Sequence, residues 1–156
     1  MTDVQPELLR GLAKEDAAGV ETLASRVHLK SGAVLFQLGA EADTVYLVQR
    51  GRIALTLPVQ VAGREEDVLV EERQAGQTVG WSALIPPHRF TLKATALVDT
   101  EVIGLARSAL LDYFAANPAA GLAVIRNLAA VIGQRLQVFQ AMWLREMQRV
   151  IDRRTA

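Results

Sequence analysis

Apolar positions near the start of the chain recur at helical intervals. Leu8, Leu9 and Leu12, followed by Val20, Leu23, Ala24 and Val27, predict helices across residues 1–30, with Glu15 and Asp16 placed to open the second of them. Lys30-Ser31-Gly32 punctuates the chain and the period then changes. Val34 to Leu38 and Val45 to Val48 read as short apolar strands bounded by Gly39 and Gly51, and Ile53 to Val61 alternates as a longer one. Ala62-Gly63-Arg64 reads as a hairpin turn returning through Val68-Leu69-Val70, and Ala75-Gly76-Gln77 as a turn into Val79-Gly80-Trp81. From Phe90 to Leu105 strand character resumes at Leu92, Ala94, Ala96, Val102, Ile103 and Leu105, with a turn at Asp99. Short strands punctuated by Gly turns predict an antiparallel sandwich or barrel.

The last third is helical. Ser108 is the expected N-cap of a helix over Ala109 to Ala116, Asn117-Pro118 breaks it, and a long helix follows from Ala119 to Arg153. At roughly 1.5 Å per residue that helix spans about 50 Å. Ile125, Ile132 and Phe139 lie seven apart, as do Ala129, Leu136, Trp143 and Val150. Interleaved, they make an a/d seam, while Gln134, Arg135, Gln137, Arg145 and Gln148 occupy other faces. A helix that overhangs a small β-domain is expected to pair with a second copy, giving a homodimer. The alternative is that the stripe packs on its own domain.

Composition narrows the chemistry. At 156 residues, 51% of them apolar and 22% charged, the chain is one ordered domain rather than a disordered segment. Seventeen Lys and Arg are balanced by seventeen Asp and Glu, so there is no general attraction to polyanions. The absence of cysteine excludes disulfides, thiolate catalysis and Cys-zinc sites. With His28 and His88 sixty positions apart, clustered metal ligands are not expected. No serine elbow, Walker-type loop or dinucleotide fingerprint occurs, and no catalytic residue is expected. Glu65, Glu66, Asp67, Glu71 and Glu72 cluster around the hairpin and read as a solvated edge. Neither a signal pattern nor a transmembrane run appears, so a cytoplasmic protein is expected.

Several spaced motifs carry a resemblance. Leu38-Gly39-Ala40-Glu41-Ala42-Asp43-Thr44-Val45-Tyr46-Leu47-Val48-Gln49-Arg50-Gly51-Arg52-Ile53 is the first, followed by Ala75-Gly76-Gln77-Thr78-Val79-Gly80. Ala96-Leu97-Val98-Asp99-Thr100-Glu101-Val102 and Asn117-Pro118 complete the set. Over residues 7 to 150 the chain resembles the cyclic-nucleotide-binding domain family, the sensor fold of catabolite-activator-type regulators, kinase regulatory subunits and some channels. The resemblance implies an α+β fold. Its β-roll (jelly-roll) over 31–106 carries a phosphate-binding cassette at 79–91, with N-terminal helices over 1–30 and C-terminal helices over 108–154.

In the family the cassette is a short helix reading roughly Gly-Glu-x-Ala-Leu, then an Arg followed by small residues. Its amides and Arg hold the cyclic phosphate and its Glu takes the ribose hydroxyl. The matching stretch here is Gly80-Trp81-Ser82-Ala83-Leu84-Ile85-Pro86-Pro87-His88-Arg89-Phe90-Thr91. Gly80, Ala83 and Leu84 match; Trp81 stands at the Glu position and Phe90 at the Arg position, with Arg89 one residue early. Losing the guanidinium–phosphate contact costs about 2–3 kcal/mol, on the order of a hundredfold in affinity. His88 reads as a loop residue.

The resemblance, with these departures, implies a non-catalytic regulatory domain without a cofactor. Its effector is a cyclic nucleotide or another small molecule, and its ligand residues would be Gly80, Trp81, Ser82, Ala83, Leu84, Arg89, Phe90 and Thr91. Three readings stand. Trp81 and Phe90 remodel the pocket for another effector, or they fill it and leave an interaction module, or Arg89 still anchors cyclic adenosine or guanosine monophosphate. The chain ends at Ala156 with no space for a helix-turn-helix, so no nucleic acid partner is expected, and output passes to a partner protein. By family resemblance, whatever fills the pocket repositions Leu122 to Val131 against the roll.

Overall fold

The computed structural model describes residues 4–156. A 3-10 turn at Glu7–Leu9 and helix α1 (Lys14–Glu21) lead into β1 (Ser25–Leu29), β2 (Val34–Phe36), β3 (Thr44–Arg50), β4 (Arg52–Val61), β5 (Arg64–Gln74) and β6 (Thr78–Val79). A 3-10 helix at Trp81–Leu84 precedes β7 (Lys93–Ala96), β8 (Thr100–Ala106), α2 (Arg107–Ala116) and α3 (Pro118–Thr155). The strands form two four-stranded sheets of order β1-β8-β3-β6 and β2-β7-β4-β5, all paired antiparallel. This is the expected jelly-roll. Val45, Leu47, Val48 and Val102 from one sheet meet Ile53, Leu55, Ala94 and Ala96 from the other in a common core.

The N-terminal region departs from its helical reading. Residues 25–29 pair with β8, from Ser25 opposite Gly104 to Leu29 opposite Thr100, so the roll begins at Ser25 and not at 31. Arg26-Val27-His28-Leu29 alternates exposed and half-buried, a period of two that the spacing from Leu23 to Val27 disguises. Helical spacing over a few residues yields when a neighbouring strand offers its ladder. Residues 1–3 of the predicted N-terminal helices lie outside the described residues.

The β4–β5 hairpin turns as predicted at Ala62-Gly63, both with positive φ (50° and 78°), which sends each strand back along its neighbour. Lower down, the register shifts: Leu55 opposes Glu71 while Thr56 opposes Leu69, leaving Val70 as a bulge. That bulge changes which side chains of β5 face inward. Val70 and Arg73 are buried, whereas Glu65, Glu66, Asp67 and Leu69 on this edge strand are exposed.

Helix α2 begins at Arg107 from a cap at Ala106 with no side-chain cap bond, so Ser108 lies inside it and does not cap it. Pro118 opens α3 at its first turn, where a missing N–H costs nothing. The 38 residues of α3 extend for about 57 Å. Ala120, Gly121, Val124, Leu128, Val131 and Arg135 form its buried face, at intervals of one to four residues. Asn127 ties that face to the N-terminal turn, donating to the Leu8 and Arg10 carbonyls at 2.8 Å each. Val138, Phe139 and Met142 still pack against the core, and beyond Met142 every residue of the helix is exposed.

Candidate functional site

The cassette is built from a left-handed glycine and a short helix. Gly80 has φ 81°, and a Cβ there would sit 3.0 Å from the Phe90 ring and 3.4 Å from that of Phe36. Both the backbone angle and the close rings require glycine. The Ala83 carbonyl is held from below by Arg107, whose Nη1 donates to it at 3.1 Å and to the Ala42 carbonyl at 2.6 Å. In the following loop Pro86-Pro87 is cis, and His88 Nδ1 lies 3.3 Å from the Ser82 carbonyl.

After that loop the chain runs extended against residues 39–42, with Phe90 N–H donating to the Ala40 carbonyl and Gly39 N–H to that of Phe90. Successive side chains therefore point to opposite sides. Phe90 is buried at 6% exposure and stacks on Phe36, ring centroids 3.6 Å apart and planes 8° off parallel. Tyr46 extends the stack, 6.3 Å from Phe36. Arg89 faces solvent, reaching only the Gly39 carbonyl at 3.3 Å.

Of the residues singled out from the sequence, Gly80, Trp81, Ser82, Phe90 and Thr91 line a common cavity; Ala83, Leu84 and Arg89 do not. The cavity has a volume of about 10 Å³, space for a single water, whereas small-molecule pockets run to hundreds of cubic ångströms. Phe36, Leu55, Leu92 and Arg135 complete its wall.

Arg135 is the residue the sequence reading missed. It was set among the polar faces of the long helix, yet it is 7% exposed and its Nε donates to Glu71 Oε2 at 2.7 Å. Glu71 Oε1 accepts from Arg73 Nη1 at 2.9 Å, and Arg73, at 2% exposure, also pairs with Glu7. Arg73 Nε donates to the Thr78 carbonyl, while Thr78 N–H donates to Glu7 Oε1 at 2.8 Å. Burial pulls the Arg135 guanidinium below its ordinary pKa, and the Glu71 carboxylate opposes that shift. Glu71 thus leaves the solvated acidic edge to which its sequence neighbours belong. The signal lay in the alternation of β5, but the bulge at Val70 obscures its phase.

The predicted seam residues of α3 divide. Ile125, Ala129, Leu136, Trp143 and Val150 are exposed, Leu136 at 59% and Trp143 at 62%. Ile132 and Phe139 are half-buried against their own core, so the stripe is not free along its whole length. Leu144, Met147 and Ile151 add further exposed apolar surface toward the end of the helix. No helix among the described residues is long and apolar enough to cross a membrane, and no group of three or more acidic or histidine side chains there is arranged to hold a metal ion.

Comparison with known proteins agrees with this architecture. Catabolite activator protein of Thermus thermophilus superposes with a TM-score of 0.72 at 25% identity, over 91% of this chain and 63% of that one. The N-terminal domain of a transcriptional regulator from Streptomyces coelicolor gives 0.70 at 25% identity, over 88% and 94%. Glutaminase 2 of Bradyrhizobium diazoefficiens is 26% identical over 131 residues, which are 83% of this chain and 19% of that enzyme. The chain spans about a fifth of the length of the curated relatives it matches. Residues 26–117 match the sequence profile of the Cyclic nucleotide-binding domain. That match covers more than half of the sequence and includes both sheets and the cassette, and the chain belongs to the cyclic nucleotide-binding domain family.

Proposed function

We propose that this chain is a non-catalytic regulatory domain that does not hold cyclic adenosine or guanosine monophosphate in the usual way. One observation carries the reading: Phe90, at the position of the phosphate-binding Arg, lies stacked on Phe36 beside a cavity of about 10 Å³. An aromatic ring offers no substitute for a bidentate guanidinium. Trp81, at the Glu position, lines the same cavity and supplies no acceptor for a ribose hydroxyl. The regulatory fold supports the general role, and the cassette chemistry supports the departure from the usual ligand. Calorimetry with both cyclic nucleotides is expected to register no binding at micromolar protein; a micromolar or tighter isotherm overturns the reading.

The domain acts as a homodimer through α3 and passes its state to a partner protein in the cytoplasm. Exposed Ile125, Leu136, Trp143 and Val150 support the dimer, because isolated overhanging helices rarely leave such residues in water. Sedimentation is expected to give twice the 17.0 kDa chain mass, reduced to one chain by Leu136→Glu. A concentration-independent monomer in the parent protein defeats the dimer.

A further inference from the structure

The cavity beside the cassette has one apolar wall and one cation. Phe36, Phe90 and Trp81 supply the first, and Arg135 reaches it from α3. Glu71 takes only the Nε of that guanidinium, and among the described residues the two Nη groups have no hydrogen-bond partner. Ser82 lines the same cavity, is 4% exposed, and its hydroxyl likewise has no hydrogen-bond partner among the described residues. Thr91 adds a second hydroxyl on the exposed side. A guanidinium keeps two parallel donors on its Nη edge when Nε is engaged, and that edge matches a planar oxyanion. Low polarity on the opposite wall strengthens such a contact.

We propose that Arg135 and Ser82 form a binding site for a small planar oxyanion of carboxylate or nitrate dimensions. The site rests on the reading that the cassette no longer serves a cyclic nucleotide: the guanidinium missing from position 90 is supplied from the helix instead. Size sets the ligand class, because space for one water admits an ion of a few atoms after modest side-chain movement and excludes a nucleotide. Charge sets its valence. Glu7, Arg73, Glu71 and Arg135 form a neutral group of two carboxylates and two guanidiniums, so a monoanion is tolerated far better than a dianion. Glu71 and the ligand draw on the same guanidinium, so occupancy weakens the contact that ties α3 to β5.

The test titrates sodium formate against sodium chloride at constant ionic strength into the full chain carrying Trp143→Phe, which leaves Trp81 as the only indole. Binding is read from Trp81 emission and from the Arg135 Nε–H resonance, a saturable change in either counting as binding. Formate is expected to saturate, with affinity lowered about tenfold by Arg135→Lys, which keeps the charge and loses the fork. Ser82→Ala is expected to weaken it by about threefold, and Glu71→Gln to tighten it by about threefold, through removal of a competing carboxylate. If Arg135→Lys does not melt cooperatively, Ser82→Ala and Glu71→Gln decide. A linear response, an equal response to chloride, or saturation unmoved by these substitutions overturns the site. A parallel titration with cyclic adenosine monophosphate separates the two readings. Micromolar saturation there overturns the proposed function and this site with it, whereas silence toward both ligands removes the oxyanion site alone.

Discussion

Phe36 and Phe90 lie face to face at 3.6 Å along one wall of the small cavity; Arg135, which also lines it, continues into a second wall of buried contacts in which Glu71, Arg73 and Glu7 follow with alternating charge. The two walls are stabilised by different physics. The aromatic wall gains from apolar area and dispersion, which are graded and tolerate partial loss. The ionic wall gains little over an apolar replacement of equal shape, because desolvation offsets attraction. What it supplies is position: its members come from the N-terminal turn, β5 and α3, and the pairs hold these three segments in one arrangement. Removing one member leaves the others charged and buried, so its failure is abrupt.

The difference is broken most sharply at Arg73. Arg73→Ala is expected to cost about 4–5 kcal/mol, because Glu7 and Glu71 lose their shared cation. Thermal melting falls by roughly 10–15 °C on that basis. A loss under about 1 kcal/mol means water enters and screens the carboxylates, and the ionic wall is then no more sensitive than a surface pair. Phe90→Ala comes next, at about 3 kcal/mol, the lower end for a buried aromatic because the adjoining cavity lets neighbours relax. If chemical denaturation shows Phe90→Ala to be the more damaging of the two, the contrast between graded and abrupt walls is reversed. Glu7→Gln keeps an acceptor for Arg73 and for the Thr78 N–H, and is expected to cost about 2 kcal/mol. Equality with Arg73→Ala in the same denaturation assay argues that the hydrogen bonds, not the charges, hold the N-terminal turn.

The two walls also differ in how far the sequence discloses them. Phe90 and Trp81 stand inside a motif whose spacing places them at the cassette, so their apolar character could be read directly. The same holds for the Ala62-Gly63 hairpin and for Pro118, where local backbone chemistry determines the structure. Phe36 could be assigned to a strand, but not to the ring it faces, because that pairing spans 54 positions. The ionic wall is hidden for a stronger reason. Glu7, Glu71 and Arg135 are 64 or more positions apart, each reads locally as a surface charge, and the bulge at Val70 breaks the alternation by which the inward position of Arg73 could have been read. Residues 25–29 were misread by the opposite error, a local helical spacing overruled by distant pairing with β8.

The smallest effect tests whether the aromatic wall has any electrostatic component. Tyr46 stacks on Phe36 at 6.3 Å, and its hydroxyl titrates above the ordinary value of 10.0, first because burial disfavours the phenolate and then because Asp43 repels it. A group whose folded value lies above its unfolded one contributes fully below the unfolded value and loses that contribution as pH rises through the folded value. The stability attributable to Tyr46 is therefore intact below pH ~10 and falls above it. Tyr46→Phe keeps the ring and removes the titration, so the alkaline limb of the melting profile flattens while the neutral plateau moves little. Tyr113, likewise raised first by burial and then by its hydrogen bond to Asp16 and that carboxylate's charge, retains part of that limb in both proteins and serves as the internal reference. Identical alkaline slopes for parent and variant would place the Tyr46 hydroxyl in water and reduce the wall to Phe36 and Phe90 alone.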